Sequence, residues 1–247
     1  MNTVMLGATR GMGRALARLM ADRCDTLYLL GRDLDELERS ARDLRERAGE
    51  VAVAGVGKCD LLEPDGFPDA LDAAAEALGG RIEAVIVTAA LFAPHEELEA
   101  DPALVRRLLD VNFARTLEFC EAARQRLLAS GGGTLCVFSS VAGERGRKPI
   151  FIYGAAKAGL THYLEGLDHK YRSQGLVTIT VKPGFVKTGM TAGLDPPPFA
   201  GEPEPVARRV LRAIDEGAPV VYAPGMWRWI MLVIRSLPRF VMRRIGF

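Results

Sequence analysis

Three histidines and four cysteines are all that the 247 residues offer to a soft metal ion, and their spacing is wrong for one. Cys24, Cys59, Cys120 and Cys136 form no CxxC pair, and His95, His162 and His169 form no HExxH pattern, so no metal site is expected. The cysteines read as buried thiols of a reducing cytoplasm, and the histidines as surface or packing residues. The basic start and long apolar stretch of a signal peptide are missing, which argues against export. No apolar run approaches the roughly 18 to 20 residues of a membrane-spanning helix. A dominant charge is missing as well: 32 basic residues face 31 acidic ones, so the whole molecule has no field for attracting nucleic acid. No linker, repeat or low-complexity block divides the chain. A single domain over residues 1–225 is therefore expected, followed by a tail of different character over 226–247.

What is present is an alternation. Short, partly β-branched apolar runs at 2–6, 26–30, 51–56, 82–87, 134–138 and 177–181 read as strands covered on both faces. Longer helical patterns at 12–21, 33–48, 67–78, 101–128 and 152–173 lie between them. A parallel strand must return through a crossover, so repeated βα units predict an α/β fold: a doubly wound parallel sheet in a three-layer α/β/α arrangement.

Two clusters along this frame carry chemistry. The first strand runs into Gly7-Ala8-Thr9-Arg10-Gly11-Met12-Gly13 and then a helix. Glycines there allow a tight turn and close approach of a pyrophosphate to the free N–H groups of a helix N-terminus, although an ordinary glycine-rich turn has the same letters. The second strand ends Leu30-Gly31-Arg32. A carboxylate at that end would accept from a ribose 2′-OH, whereas Arg32 together with Arg10 suits a 2′-phosphate, so NADP(H) is expected in preference to NAD(H). Arg32 could instead simply open a solvated helix with Asp33 as its N-cap. The second cluster is Tyr153-Gly154-Ala155-Ala156-Lys157. Four residues on a helix put phenol and ammonium on one face, where Lys157 could stabilise tyrosinate and lower the phenol pKa from about 10. Such a pair also arises by chance. Ser140 ends a strand 13 residues earlier, in the context Ser140-Val141-Ala142-Gly143, with Ser139 as a neighbouring competitor.

In this order the clusters resemble the short-chain dehydrogenase/reductase family, from residue 2 to about 190. The G-x-x-x-G-x-G spacing, the Ser-to-Tyr separation and YxxxK all match. The resemblance implies a Rossmann-type fold in which Gly7, Thr9, Arg10, Gly11, Met12, Gly13 and Arg32 hold the cofactor. Asp60-Leu61 resembles the family's adenine-contacting pair, and Ala89-Ala90 stands where backbone touches the cofactor. Pro183-Gly184-Phe185-Val186-Lys187-Thr188 resembles the PGxVxT segment, so Pro183, Gly184, Val186 and Thr188 are expected beside the nicotinamide. Asn112, Ser140, Tyr153 and Lys157 complete an Asn-Ser-Tyr-Lys set. The amide of Asn112 would hold a proton-relaying water, unless it only distorts its helix. Ser140 would orient a carbonyl, Tyr153 would protonate it, and Lys157 would tune Tyr153 and bind the nicotinamide ribose. Two landmarks depart: Leu6 stands where a turn-supporting Thr is usual, and Thr88-Ala89-Ala90-Leu91 replaces an Asn-Asn-Ala-Gly stretch. The implied reaction is NADPH-dependent reduction of a ketone.

The tail beyond Tyr222 is apolar with arginines only: Arg228, Arg235, Arg239, Arg243 and Arg244. Arg235 interrupts it and Pro238 should kink or end a helix, which disfavours a membrane-spanning segment. It is expected either to cover the cleft or a neighbouring subunit of a homodimer or homotetramer, or to lie on the inner face of a membrane. The stretch Ala142-Gly143-Glu144-Arg145, the Tyr153 motif, Ala223-Pro224 and the two departures are similar to decaprenylphosphoryl-2-keto-pentose reductases. This implies an amphiphilic, lipid-linked ketosugar as substrate. A generic cytoplasmic ketoreductase of acyl-thioesters or small ketones, or a non-catalytic NADP-binding protein, stays open.

Overall fold

Seven parallel strands form one sheet in the order β3-β2-β1-β4-β5-β6-β7 in the computed structural model, which describes residues 1–246. Phe247, the last residue of the expected tail, lies outside the described residues. The strands are β1 (Asn2–Leu6), β2 (Thr26–Gly31), β3 (Val53–Lys58), β4 (Ala84–Val87), β5 (Gly133–Phe138), β6 (Leu176–Pro183) and β7 (Val220–Ala223). Successive side chains point to opposite faces, so a continuous apolar run feeds two cores. In β1, Met5 packs with one cluster while Val4 and Leu6 pack with the other. The first face is covered by α1 (Gly11–Asp22), α2 (Leu34–Ala48) and a later helix, Pro203–Glu216. The second is covered by α3 (Phe67–Ala77), by Arg115–Ala129 and by Phe151–Tyr171.

Several elements depart from the sequence expectation. Two short helices, α4 (His95–Ala100) and α5 (Pro102–Leu109), come before α6 (Arg115–Ala129), where a single long helix from 101 was expected. Between α5 and α6 the chain makes a π turn over Asp110–Ala114. The Thr116 hydroxyl donates to the carbonyl of Val111 five residues back at 2.6 Å, which fits the wider turn. After α7 (Phe151–Tyr171) and β6 comes α8 (Pro203–Glu216), unanticipated because prolines surround it. Pro203 sits in the first turn, where a missing N–H costs nothing, and Val206, Ala207, Val210, Ala213 and Ile214 make a helical apolar stripe. β7 was missed because only four residues form it, at the sheet edge with Val220 exposed. Cys24 is exposed, against the expectation that all four thiols are buried; it turns the chain out of α1 with φ 67°.

The tail is helical and two-faced, as α9 (Trp227–Ser236) and α10 (Arg239–Met242), with the break at Leu237-Pro238. Trp227, Met231 and Ile234 pack with Val141 into a small core, while Trp229, Leu232 and Val233 are exposed. Polar clasps hold the inner face: Arg145 donates to the Leu237 carbonyl and Lys148 Nζ to the Arg243 carbonyl, both at 2.8 Å. Beneath them Glu144 accepts from Lys182 Nζ at 2.7 Å and from the Tyr222 hydroxyl. The tail therefore covers the end of its own sheet. Met231→Ala is expected to cost about 2–5 kcal/mol in urea unfolding, and Trp229→Ala on the same helix within about 0.5 kcal/mol. A larger loss for Trp229→Ala than for Met231→Ala would place the helix the other way round.

Candidate active site

All parallel strands deliver their C-terminal ends to one rim, where the β1–α1 turn leaves no room for a Cβ at two positions. Gly7 has φ 101°, and a Cβ on it would stand 2.7 Å from the Ala89 amide; a Cβ on Gly13 would stand 2.2 Å from the Gly7 carbonyl oxygen. Helix α1 opens at Arg10 with no side-chain cap and no acid in its first turn, so its N–H groups and dipole are available to an anion. The turn is braced from β4, where the Thr88 hydroxyl donates to the Gly7 carbonyl at 2.8 Å. In the sequence Thr88 shows only as a departure from a motif. Its hydroxyl reaches the turn from the neighbouring strand, where Leu6 has none to offer.

From this turn a cleft of about 290 Å³ runs towards the end of β2, lined by Thr9, Arg10, Arg32, Asp60, Leu61 and Ala89 among others. Arg32 is exposed with no ion-pair partner among the described residues, while Arg10 lies 3.6 Å from Glu36. The Asp33 side chain accepts from the Glu36 amide at 3.0 Å, so it does cap α2, and Arg32 stands free just before it. Asp60 accepts from the Leu62 amide at 2.9 Å and shapes its own turn. Ala90 lines both this cleft and a second, apolar cavity of about 520 Å³, so the two compartments adjoin. A turn that only glycine fits, an uncapped helix start and two arginines at the far end suit a phosphorylated dinucleotide.

The second cavity brings together Met12, Ser140, Tyr153, Lys157, Pro183 and Thr188. Gly184 and Val186 line it too, and Gly11 meets Thr188, whose methyl would lie 3.2 Å from a Cβ added there. Ser139 has its hydroxyl engaged, donating to the Lys157 carbonyl at 3.0 Å and facing Thr161 Oγ1 at 2.6 Å. Ser140 Oγ accepts from the Ala142 amide at 3.0 Å, which leaves its hydrogen to point elsewhere. Glycine packing holds this arrangement: a Cβ on Gly143 would come within 2.7 Å of the Lys157 carbonyl carbon, and one on Gly154 within 2.7 Å of the Ala142 oxygen.

Two expectations need correction. Lys157 does not lower the Tyr153 phenol: burial raises it to about 12, with only a hydrogen bond to Ser140 pulling it down. The ammonium donates to the Phe138 carbonyl at 2.9 Å and sits 5.8 Å from the tyrosine ring centre. Burial also lowers Lys157 to about 8. Asn112 is fully buried in the π turn, and its amide is engaged by Leu91, accepting from that residue's N–H at 2.9 Å and donating to its carbonyl at 2.6 Å. The amide thus fastens the loop after β4 to the central helix, where a water-holding role was expected. Residues that sequence reasoning did not single out line the cavity as well: Phe92, His95, Arg147, Phe185 and Trp227. Phe92 meets the Tyr153 ring edge-on at 5.5 Å, and a Cβ on Gly184 would overlap the Trp227 indole nitrogen at 2.0 Å. Only tertiary folding brings these side chains to Tyr153, although Trp227 stands out as one of two tryptophans.

The depressed Lys157 has a consequence for stability. Between about pH 8 and the ordinary lysine value near 10.5 the unfolded chain binds a proton that the folded chain does not, so folding gains stability as pH rises through that window. Lys157→Met is expected to be more stable than the parent at pH 7, with a gap that narrows towards pH 10.5, as read from urea midpoints across pH. A gap that does not change with pH would contradict the burial of the charge.

Comparison with known proteins agrees with this geometry. The family model described as short chain dehydrogenase matches residues 2–197. An uncharacterized oxidoreductase of Mycobacterium tuberculosis (strain H37Rv) is 33% identical over 243 residues, covering 98% of this chain and 96% of that protein. An uncharacterized oxidoreductase of Streptomyces coelicolor is 31% identical, covering 98% of this chain and 94% of its own length. Among solved structures, a short-chain dehydrogenase from Sphingobium yanoikuyae in complex with NADPH superimposes with a TM-score of 0.82 at 26% identity, over 99% of this chain and 96% of that one. The chain belongs to the short-chain dehydrogenase/reductase family and is an NAD(P)-dependent oxidoreductase.

Proposed function

We propose that the protein reduces a ketone to a secondary alcohol with NADPH, Tyr153 being the proton donor. The observation that carries this reading is the meeting of Ser140, Tyr153 and Lys157 in one apolar cavity that adjoins the glycine-turn cleft. The nicotinamide, when bound, supplies the hydride. Gly7, Thr9, Gly11 and Gly13 would hold the pyrophosphate at the turn, Asp60, Leu61 and Ala89 would border the adenosine, and Ala90, Pro183, Gly184, Val186 and Thr188 would flank the nicotinamide end. Ser140 donates to the carbonyl oxygen, since its Oγ already accepts from Ala142. A phenol held near 12 stays protonated at neutral pH and hands its proton to the oxygen as negative charge develops there. Lys157, which donates to the Phe138 carbonyl beside Tyr153, would hold the cofactor ribose and supply a proton to the Tyr153 side.

Arg10 and Arg32 support NADPH over NADH, because Arg32 has no ion-pair partner among the described residues, Arg10 has only a long contact to Glu36 at 3.6 Å, and a 2′-phosphate is matched by a guanidinium fork. The NADPH bound in the Sphingobium structure supports the same cofactor, and the name of a 28% identical Xenopus tropicalis relative, carbonyl reductase family member 4, supports carbonyl reduction. The bulk of the cavity wall, with Ile150, Phe185, Met190, Leu194 and Trp227, supports an amphiphilic ketone such as a lipid-linked ketosugar. The outward side of the tail, with Trp229, Val233 and Phe240 exposed beside Arg228, Arg235 and Arg239, supports docking onto a second copy. Its one-signed charge equally suits an anionic membrane surface bearing such a substrate.

An NADPH oxidation screen over simple ketones and polyprenyl-phosphoryl ketosugars tests the reading. Tyr153→Phe should reduce kcat by at least ~100-fold, as loss of an acid catalyst does, with NADPH affinity retained; near-normal turnover would overturn the assignment. Arg32→Asp should move the NADPH/NADH ratio of kcat/KM towards NADH by roughly tenfold or more, the size of one charge-assisted contact, and an unchanged ratio would exclude Arg32 as the phosphate reader.

A further inference from the structure

The apolar cavity contains a cation that the proposed reaction does not use. Arg147 follows the Ser140 turn, lines the cavity, and makes neither a side-chain hydrogen bond nor an ion pair among the described residues. Its Nε is wholly buried without a partner, and burial alone pushes its guanidinium below the ordinary arginine value. Two carboxylates, Glu96 and Asp195, share the cavity wall, yet neither forms an ion pair with it. The nearby clasps use the residues on either side: Arg145 holds the Leu237 carbonyl and Lys148 the Arg243 carbonyl. Arg147 is thus fixed between two tethered neighbours while its own donors remain unassigned. A second polar group behaves alike. His95 is 8% exposed, lines the same cavity, and has both ring nitrogens buried without a hydrogen bond, the nearest carboxylate oxygen being Glu99 at 3.5 Å.

An unpaired guanidinium with its Nε buried is costly to hold in a folded protein, and the cost falls when an oxyanion arrives. A planar fork in a low-dielectric wall is also the group best suited to a carboxylate or phosphate. We propose that Arg147 is the anion-recognising residue of the catalytic cavity, and that the ketone reduced there carries a carboxylate or phosphate group, with His95 a further donor to that group or to a neighbouring hydroxyl. This rests on the ketoreductase reading above and narrows its substrate class. The anion binds away from the reacting carbonyl, so Arg147 acts on specificity and positioning.

The test compares ketones that differ only in charge: a 4-oxo acid against its methyl ester, and dihydroxyacetone phosphate against dihydroxyacetone. The wild-type enzyme should favour the charged member of at least one pair by roughly tenfold or more in kcat/KM, mainly through KM, the size of one charge-assisted hydrogen bond. The pair that discriminates tells carboxylate from phosphate. Arg147→Met, checked for folding by its unfolding midpoint and for NADPH binding, should bring that ratio towards one, and Arg147→Lys should restore part of it. No charge preference in the wild type, or a preference that survives in Arg147→Met, overturns the proposal. If no ketone is reduced at all, the ketoreductase reading fails separately, and calorimetric titration with the 4-oxo acid and dihydroxyacetone phosphate then decides the anion site. Heat of binding present in the wild type and lost in Arg147→Met supports it, while no binding, or equal binding, rejects it.

Discussion

An ammonium sealed inside an apolar domain constrains everything around the end of β5. Lys157 is 1% exposed, and its hydrogen-bond partner is the carbonyl of Phe138, the last residue of that strand. A buried charge with one partner is unfavourable, which is why burial lowers its pKa. The main chain is drawn tightly about it. Ser139 ties the start of the turn to the Lys157 carbonyl, Gly143 lets the turn lie on α7, and Gly154 admits the Ala142 oxygen. These backbone contacts hold Ser140 and Tyr153 on the wall of one cavity.

The same rim is also braced by contacts outside the Ser140, Tyr153 and Lys157 cluster. Thr88 holds the glycine turn, Asn112 holds the loop after β4 through a π turn, and Trp227 presses on Gly184. Glu144 gathers Lys182 and Tyr222 from two strands, and Arg235 of α9 lies 3.9 Å away. Tail, sheet edge and Ser140 turn therefore form one unit. A disturbance of α9 reaches the cavity through Val141 and Trp227 as well as through Glu144.

Much of this is legible before folding. Strands β1 to β6 and most of the helices facing them follow from apolar periodicity, and Gly7 to Gly13, Ser140 and Tyr153 with Lys157 stand in recognisable order. What periodicity misses is short or masked: β7 with four residues at an edge, α8 behind a proline-rich stretch, and a π turn that depends on one amide finding Leu91. Thr88 looks like the loss of a motif, yet the hydroxyl absent at Leu6 is supplied from the adjacent strand.

By itself the sequence determined the layered α/β architecture, the glycine turn and the spacing that sets Tyr153 and Lys157 on one helix face, because these depend on local periodicity and on residues close in the chain. Tertiary structure alone decided the electrostatics. Whether Lys157 faces Tyr153 or a carbonyl, and whether Asn112 is free or engaged, depend on groups 19 and 21 residues away along the chain. Burial and pairing are properties of the assembled interior, where desolvation outweighs the neighbour four residues along the helix.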